Sequence, residues 1–336
     1  WGDIDGDGAP ELALGTGLQE VIRLYHNNRN VHAETKLPGF GHTPIVQVVR
    51  PMPPSDADYF STSNIWPISG STIPITYKLI DSHSKPVGHI RAYYSLNGGG
   101  SWLPATATAG TSTTNLATSA QGVTHLFEWD LFADGIFGQS DNVVFRIEAI
   151  PSFQSTAGSI SGPFLTSYTT AQTHPFRVRG TQVRVLQNNQ PIKGAIVFHL
   201  PHAQAQRAAL LIDNRGQPFR TDSVGYLQGR GQLYAGEQLV AMQPITSTSL
   251  YTLYHTSASP TAVGINFSII NSPGVQTLNI SDNNPLLLFN LVVSLEWDAR
   301  NDPTFMNQLE NDLQRASQIL YDLTNGQAAL GSVRIY

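Results

Sequence analysis

Through most of the chain, apolar residues recur at every second position in short runs, and Gly, Asn, Pro and Ser clusters close each run. "VIRLYH", "PIVQVV", "IPITYKLI", "HIRAYYSL", "HLFEWDLF", "NVVFRIEAI", "TQVRVL", "GAIVFHL", "LYTLYHT" and "VQTLNI" carry the Val, Ile, Tyr and Phe enrichment of half-buried strands. Many short strands with turn clusters between them predict β-sandwiches. One segment has a different period. From Phe305 the apolar positions are Phe305, Leu309, Leu313, Ala316, Leu320 and Leu323, steps of four and three that place them on one helical face. Asp302 before Pro303 supplies an N-cap and a first-turn proline, and Asn325-Gly326 supplies the stop. The apolar run "LLLFNLVVSLEW" precedes this helix and "GSVRIY" follows it, so the end of the chain is expected to run strand, helix, strand. A parallel pair joined by a helix is the start of an α/β unit.

At 336 residues the chain exceeds the roughly 250 that one core usually serves. Breaks are expected near "HNNRNVH", at the proline-rich "RPMPPSDADYF", around "TTAQTHP" and near "SDNNP". The fold class is therefore mainly β and multidomain. Four pieces are expected: a short β piece over residues 1–31, a sandwich over 44–176, a second β region over 178–290, and the start of a truncated α/β unit over 291–336. With no initiator methionine and a motif already under way at Trp1, the chain is expected to be a fragment of a longer protein.

Charged residues are only 13% of the total, against roughly 25% in ordinary soluble domains. Ser, Thr, Gly, Asn and Gln take their place, a balance that suits exported β-rich proteins. The net charge of −5 offers no basic stripe for nucleic acid, and no apolar run approaches the roughly 20 residues of a membrane-spanning helix. The absence of cysteine excludes disulfides, thiolate catalysis and cysteine-ligated zinc.

Candidate metal chemistry sits at the start, in "WGDIDGDGAPELALGTG". Asp3, Asp5 and Asp7 alternate, Gly8 allows a tight turn, and Glu11 stands ninth counting from Asp3. With the Ala9 carbonyl these side chains offer an oxygen-only set suited to calcium. An EF-hand would need a glutamate at the twelfth position, where Leu14 stands, and flanking helices. Instead "ELALGTG" is strand-like. Residues 1–27 resemble the calcium loop and following strands of an FG-GAP repeat, as in integrin α-type propellers. That resemblance implies a partial propeller blade clamped by structural Ca2+ on Asp3, Asp5, Asp7, Ala9 and Glu11.

Three further stretches carry resemblances. Ser95, Asn97, Gly99 and Trp102 in "SLNGGGSW" match an Asp-box turn with Asn in place of its Asp, and a β-turn capped by a packed tryptophan is expected. Val46 to His174 resembles the immunoglobulin-like or fibronectin-type sandwiches of bacterial surface proteins. Thr221-Asp222 and Gly225-Tyr226, after Pro191 and Gly194-Ala195, resemble the carboxypeptidase-regulatory-like (transthyretin-like) sandwich, whose implied role is support or adhesion. Tyr93, Tyr94 and Trp102 are either core residues or the lining of a sugar-binding face.

The 10 histidines form no metal signature. His199 and His202 in "HLPH" are separated by Pro201 and cannot share a helix face, no His-Glu-x-x-His occurs, and no Gly-x-Ser-x-Gly elbow is present. The run "LQRASQILYDLTNGQAALGSVRIY" is similar to the start of the zincin-type protease domain of calcium-activated chloride channel regulators, which implies a metal-binding helix beyond residue 336. A von Willebrand A-type domain also opens strand-helix-strand, but "WDARND" stands where its Asp-x-Ser-x-Ser motif belongs.

These observations lead to a non-catalytic fragment of an exported, calcium-binding, multidomain surface protein. Its modules are structural or adhesive, its partner is a protein or glycan of unknown identity, and its expected location is extracellular or at a bacterial cell surface. The alternative is the accessory N-terminal part of a secreted zinc metallopeptidase. No enzyme activity is expected of the 336 residues themselves.

Overall fold

The computed structural model describes residues 12–16, 21–25, 44–51, 67–151, 168–201, 208–261 and 264–336. The described residues are mainly β, with several sheets and one long helix near the C-terminus. The chain divides into two compact units, residues 1–131 with 140–178 and residues 132–139 with 179–336.

In the first unit, β1 (Leu12–Thr16) and β2 (Val21–Tyr25) pair antiparallel from Leu12↔Tyr25 to Thr16↔Val21. They are the two strands expected after the aspartate loop. A three-stranded sheet joins β3 (Ile45–Val48), β5 (Thr72–Ile80) and β9 (Val123–Asp130), with β5 in the middle; β4 (Ile68–Ser69) lies in the other sheet. That other sheet is built on β6 (Val87–Ser95) and the 16-residue β10 (Ile136–Pro151), antiparallel from Val144↔Ser95. β7 (Leu103–Pro104) and β8 (Thr114–Leu116) pair with β6, β11 (Thr169–Gln172) pairs with β10, and β12 (Phe176–Arg179) lies between β4 and β10.

Alternation on these strands creates the core. Ile73, Ile75, Tyr77 and Leu79 on β5, Phe127 and Trp129 on β9, and Phe145 and Ile147 on β10 are all buried. Trp129 is the hub, with ring centroids 4.9 Å from Tyr94 and 5.4 Å from Phe145. Tyr94 is thus a core residue, while its neighbour Tyr93 points to the opposite face of the sheet.

The second unit contains β13 (Gln182–Gln187), β14 (Gln190–Pro191), β15 (Ile196–Leu200), β16 (Ala209–Leu210), β17 (Arg230–Gln232) and β18 (Gln238–Ser247). These are followed by β19 (Tyr251–Thr256), β20 (Ser259–Thr261), β21 (Gly264–Asn266), β22 (Ser268–Ile269), β23 (Val275–Val293) and β24 (Ala328–Ile335). The main sheet runs β14-β13-β23-β19-β18-β15-β16, and Ile136–Gly138 of β10 pair with β17. Val183, Val185, Val197, Leu239, Ala241, Leu278 and Ile280 form the centre of its core.

The turn cluster "SDNNP", expected to break the chain, is a bulge within one 19-residue strand. β23 pairs parallel with β13 over Val275–Ile280, then antiparallel with β19 and parallel with β24 from Leu287. Between His255↔Pro285 and Thr256↔Ser281 the strand carries three extra residues, Asp282, Asn283 and Asn284. A bulge accommodates Asn and Pro because its ladder hydrogen bonds are already interrupted. The strand therefore continues past the expected break to Val293, with a second register shift at residue 290 against β24.

The expected helix is present as α1 (Pro303–Leu323). The Asp302 carboxylate accepts from the Phe305 amide at 3.0 Å, and Pro303 occupies the first turn. At the other end Asn325 and Gly326 take positive φ, and the Gly326 amide donates to the Tyr321 carbonyl at 2.7 Å. The apolar stripe is only half-buried: Phe305, Leu309, Leu313 and Leu320 are partly covered, whereas Ala316 and Leu323 are exposed. The helix is the crossover that parallel pairing of β23 with β24 requires.

Candidate functional site

Asp3, Asp5, Asp7, Ala9 and Glu11, the expected calcium ligands, lie outside the described residues, as does His202. Among the described residues no three His, Cys, Asp or Glu side chains converge. The remaining candidates are two signature turns, one aromatic cluster and two histidine–carboxylate pairs.

The "SLNGGGSW" turn is closed by its own side chains. Ser95 Oγ donates to Asn97 Oδ1 at 2.8 Å and accepts from the Gly99 amide at 2.8 Å, while Asn97 Oδ1 also accepts from the Ser101 amide at 2.9 Å. The asparagine thus does the work of the aspartate in the resembling motif, because its carbonyl oxygen accepts as a carboxylate would.

Trp102, delivered by this turn, lies against Arg146. The guanidinium carbon is 4.3 Å from the Trp102 ring centroid and 4.8 Å from that of Tyr93, its cross-strand partner. An arginine held by two rings is favoured by the ring quadrupoles and buries its stem. Arg146 Nη2 sits 3.3 Å from the buried Glu148 carboxylate. Two of the three aromatics considered for a sugar-binding face, Tyr93 and Trp102, therefore grip an arginine, in a stack that stays partly open to solvent.

In the second unit, Thr221 and Asp222 also build a turn. Thr221 Oγ1 donates to the Ile192 carbonyl at 2.6 Å and accepts from the Ala195 amide at 2.9 Å, fully buried. Asp222 Oδ1 accepts from the Val224 and Tyr226 amides at 2.9 Å each. Gly225 lies at φ +83°, and a β-carbon there would stand 2.7 Å from the Val185 carbonyl oxygen, so the position requires glycine. Asp213 repeats the device, accepting from the Arg215 and Gln217 amides at 2.8 Å.

His199 Nδ1 lies 3.1 Å from Glu237 Oε2, both largely buried. Tyr234 is close enough to Asp134 and Glu237 that burial and their charges together raise its pKa. The second pair is His255 and Asp282, with Nδ1 3.1 Å from Oδ1. The distance is that of an ion pair, yet the buried Nδ1 makes no aligned hydrogen bond. Gln187 Nε2 donates to the same carboxylate oxygen. Gln243 stands directly across from His255 and its buried Oε1 has no partner. Sequence reasoning missed this grouping because its members come from four separate strands.

The acids of "WDARND" act as caps. Asp298 accepts from the Arg300 amide at 3.1 Å and meets its guanidinium at 2.8 and 2.7 Å, and Arg300 holds the carboxyl below its usual range. No described helix is long and apolar enough to cross a membrane.

No protein-family profile matches the sequence, and no curated protein does. Solved structures give distant matches. A DUF4466 family protein from Parabacteroides merdae shares 8% identity, covering 66% of this chain and 67% of its own, at a TM-score of 0.22. The class 5 fimbriae chaperone CfaA shares 9%, covering 73% and 98%, at 0.21. The pilus backbone RrgB of Streptococcus pneumoniae shares 10%, covering 74% and 58%, at 0.19. The resemblance to these bacterial proteins is weak and carries nothing about activity.

Proposed function

We propose that these residues are non-catalytic structural or adhesion modules of an exported, calcium-binding, multidomain surface protein of bacterial type. The observation that supports this most is the use made of the signature residues. Ser95, Asn97, Thr221 and Asp222 are all hydrogen-bonded into the turns that hold their own strands. Calcium at Asp3, Asp5, Asp7, Ala9 and Glu11 would add a local clamp, since binding free energy at such a loop is folding free energy. The partly exposed Tyr93–Arg146–Trp102 stack is the surface on which a protein or glycan would be held. The test is turnover: the purified chain should cleave neither peptide nor glycan panels. Cleavage abolished by changing one of its own residues would contradict the reading.

The parallel β23–α1–β24 unit favours a second reading, the accessory part of a secreted zinc metallopeptidase. Reading the parent gene beyond residue 336 decides it. His-Glu-x-x-His within the next hundred or so codons supports the peptidase, and further sandwiches or a stop codon support adhesion.

A further inference from the structure

The stretch from Arg184 to Arg230 holds six Lys and Arg residues against two Asp and no Glu, a formal +4 within a chain of −5, so the remaining residues carry −9. The fold gathers part of this charge on the outer side of the second unit's sheet. Val183 and Val185 are buried in its core, so Arg184 between them points outward, as do Tyr226 opposite it and Thr277 beside it on β23. Thr221 and Leu227 are likewise buried and opposite each other, so their neighbours Arg220 and Gln228 extend the same outer face. Lys193 is exposed and precedes Gly194, whose carbonyl accepts from Arg220 Nη1 at 2.9 Å.

We propose that this face binds an acidic polysaccharide built of uronic acids. The carboxylates of the stretch are spent on its own turns: Asp213 Oδ1 accepts from two backbone amides, and Asp222 accepts from the Val224 and Tyr226 amides on Oδ1 and from Gln228 Nε2 at 2.7 Å on Oδ2. Among the described residues no carboxylate forms an ion pair with Arg184, Lys193 or Arg220. The two guanidinium groups are anchored to backbone carbonyls instead, Arg184 Nε to Val224 at 3.2 Å and Arg220 Nη1 to Gly194, and the Arg184 guanidinium carbon lies 5.4 Å from the Tyr226 ring centroid. Each anchor leaves one two-donor edge of the fork open, and a planar carboxylate meets such an edge with both oxygens. Cations already fixed in place lose little side-chain freedom on binding. Tyr226, Gln228 and Thr277 set a phenol, an amide oxygen and a hydroxyl alongside, groups that bond sugar hydroxyls. A nucleic acid fits less well, since three cations fall short of the roughly six to ten phosphates that a duplex binder neutralises. The adhesion reading enters only in the choice of a glycan over a soluble anion; the face shares no residue with the Tyr93–Arg146–Trp102 stack.

The experiment is a calorimetric titration of an oligogalacturonate into the full 336-residue chain at low salt. Saturable uptake is expected, weakening as salt is added. The methyl-esterified oligomer, the same sugars without their charge, should bind about tenfold more weakly or worse. Lys193→Gln, which changes an exposed side chain, and Arg220→Gln should each weaken binding roughly fivefold, with the melting temperature of Lys193→Gln unchanged. No saturable uptake by the native chain, equal affinity for the methyl ester, tighter binding of a DNA duplex, or unchanged affinity in both variants would overturn the assignment. Uptake lost in Trp102→Ala but kept in Lys193→Gln and Arg220→Gln would move the glycan to the first unit, overturning this face while leaving the adhesion reading in place.

Discussion

The Asp302 carboxylate accepts a hydrogen bond from the Phe305 backbone amide at 3.0 Å, and that contact fixes where α1 begins. Replacing the cap leaves an amide of the first turn without its acceptor. Asp302→Ala is expected to lower stability by about 1 kcal/mol, and Asp302→Asn by much less. Urea denaturation followed by circular dichroism measures both; equal losses would mean that charge, not the acceptor, fixes the start.

Thr221 bridges two segments of the second unit, and its hydroxyl and the Ala195 amide it serves are both buried. Thr221→Val keeps the shape but strands that amide and the Ile192 carbonyl. A loss of about 1–3 kcal/mol is expected. Chemical denaturation of the variant is the check, and a change within a few tenths of a kcal/mol would show that water replaces the hydroxyl.

Trp129, fully buried between Tyr94 and Phe145, anchors the first unit. Trp129→Ala is expected to cost about 3–5 kcal/mol. Differential scanning calorimetry should show the loss in the transition of the first unit, with that of the second unchanged.

Tyr77 is wholly buried and stacked on His125, with its hydroxyl unpaired, and burial raises its pKa. Below about pH 10 the phenol is neutral whether folded or unfolded. Above that the unfolded chain loses the proton first, so stability falls as pH rises toward the folded value. Tyr321, also raised by burial and by the Asp322 charge, acts in the same direction. Tyr77→Phe removes an unpaired polar group, so it should be neutral or stabilising by about 1 kcal/mol at pH 7 and should flatten the alkaline decline. Melting curves between pH 7 and 11 test this; a destabilised variant would point to a partner for the hydroxyl.

How much of this was legible depended on how local the signal was. α1 was, because Asp302, Pro303, the apolar period and Asn325-Gly326 all lie within the helix or beside it. The alternating runs were legible too, each forming a strand. The bulge at Asp282–Asn284 was not, since Asn and Pro mark a turn unless neighbouring strands hold the chain extended. Tyr93 and Tyr94 looked alike in sequence; only the parity of β6 against the core sends one inward and leaves the other to grip Arg146. The grouping of Gln187, Asp282, His255 and Gln243 was out of reach, because Gln187 and Asp282 are 95 positions apart and meet through a parallel pairing that no local pattern encodes.

Under the proposed function, Asp3, Asp5, Asp7 and Glu11 would hold a calcium ion that serves architecture. The most direct test of this central claim is a calorimetric calcium titration of a polypeptide containing the complete propeller, native against Asp5→Ala. The account predicts saturable uptake by the native protein and its loss in the variant, with both β units still melting at their native temperatures. Equal uptake by the two proteins would contradict it.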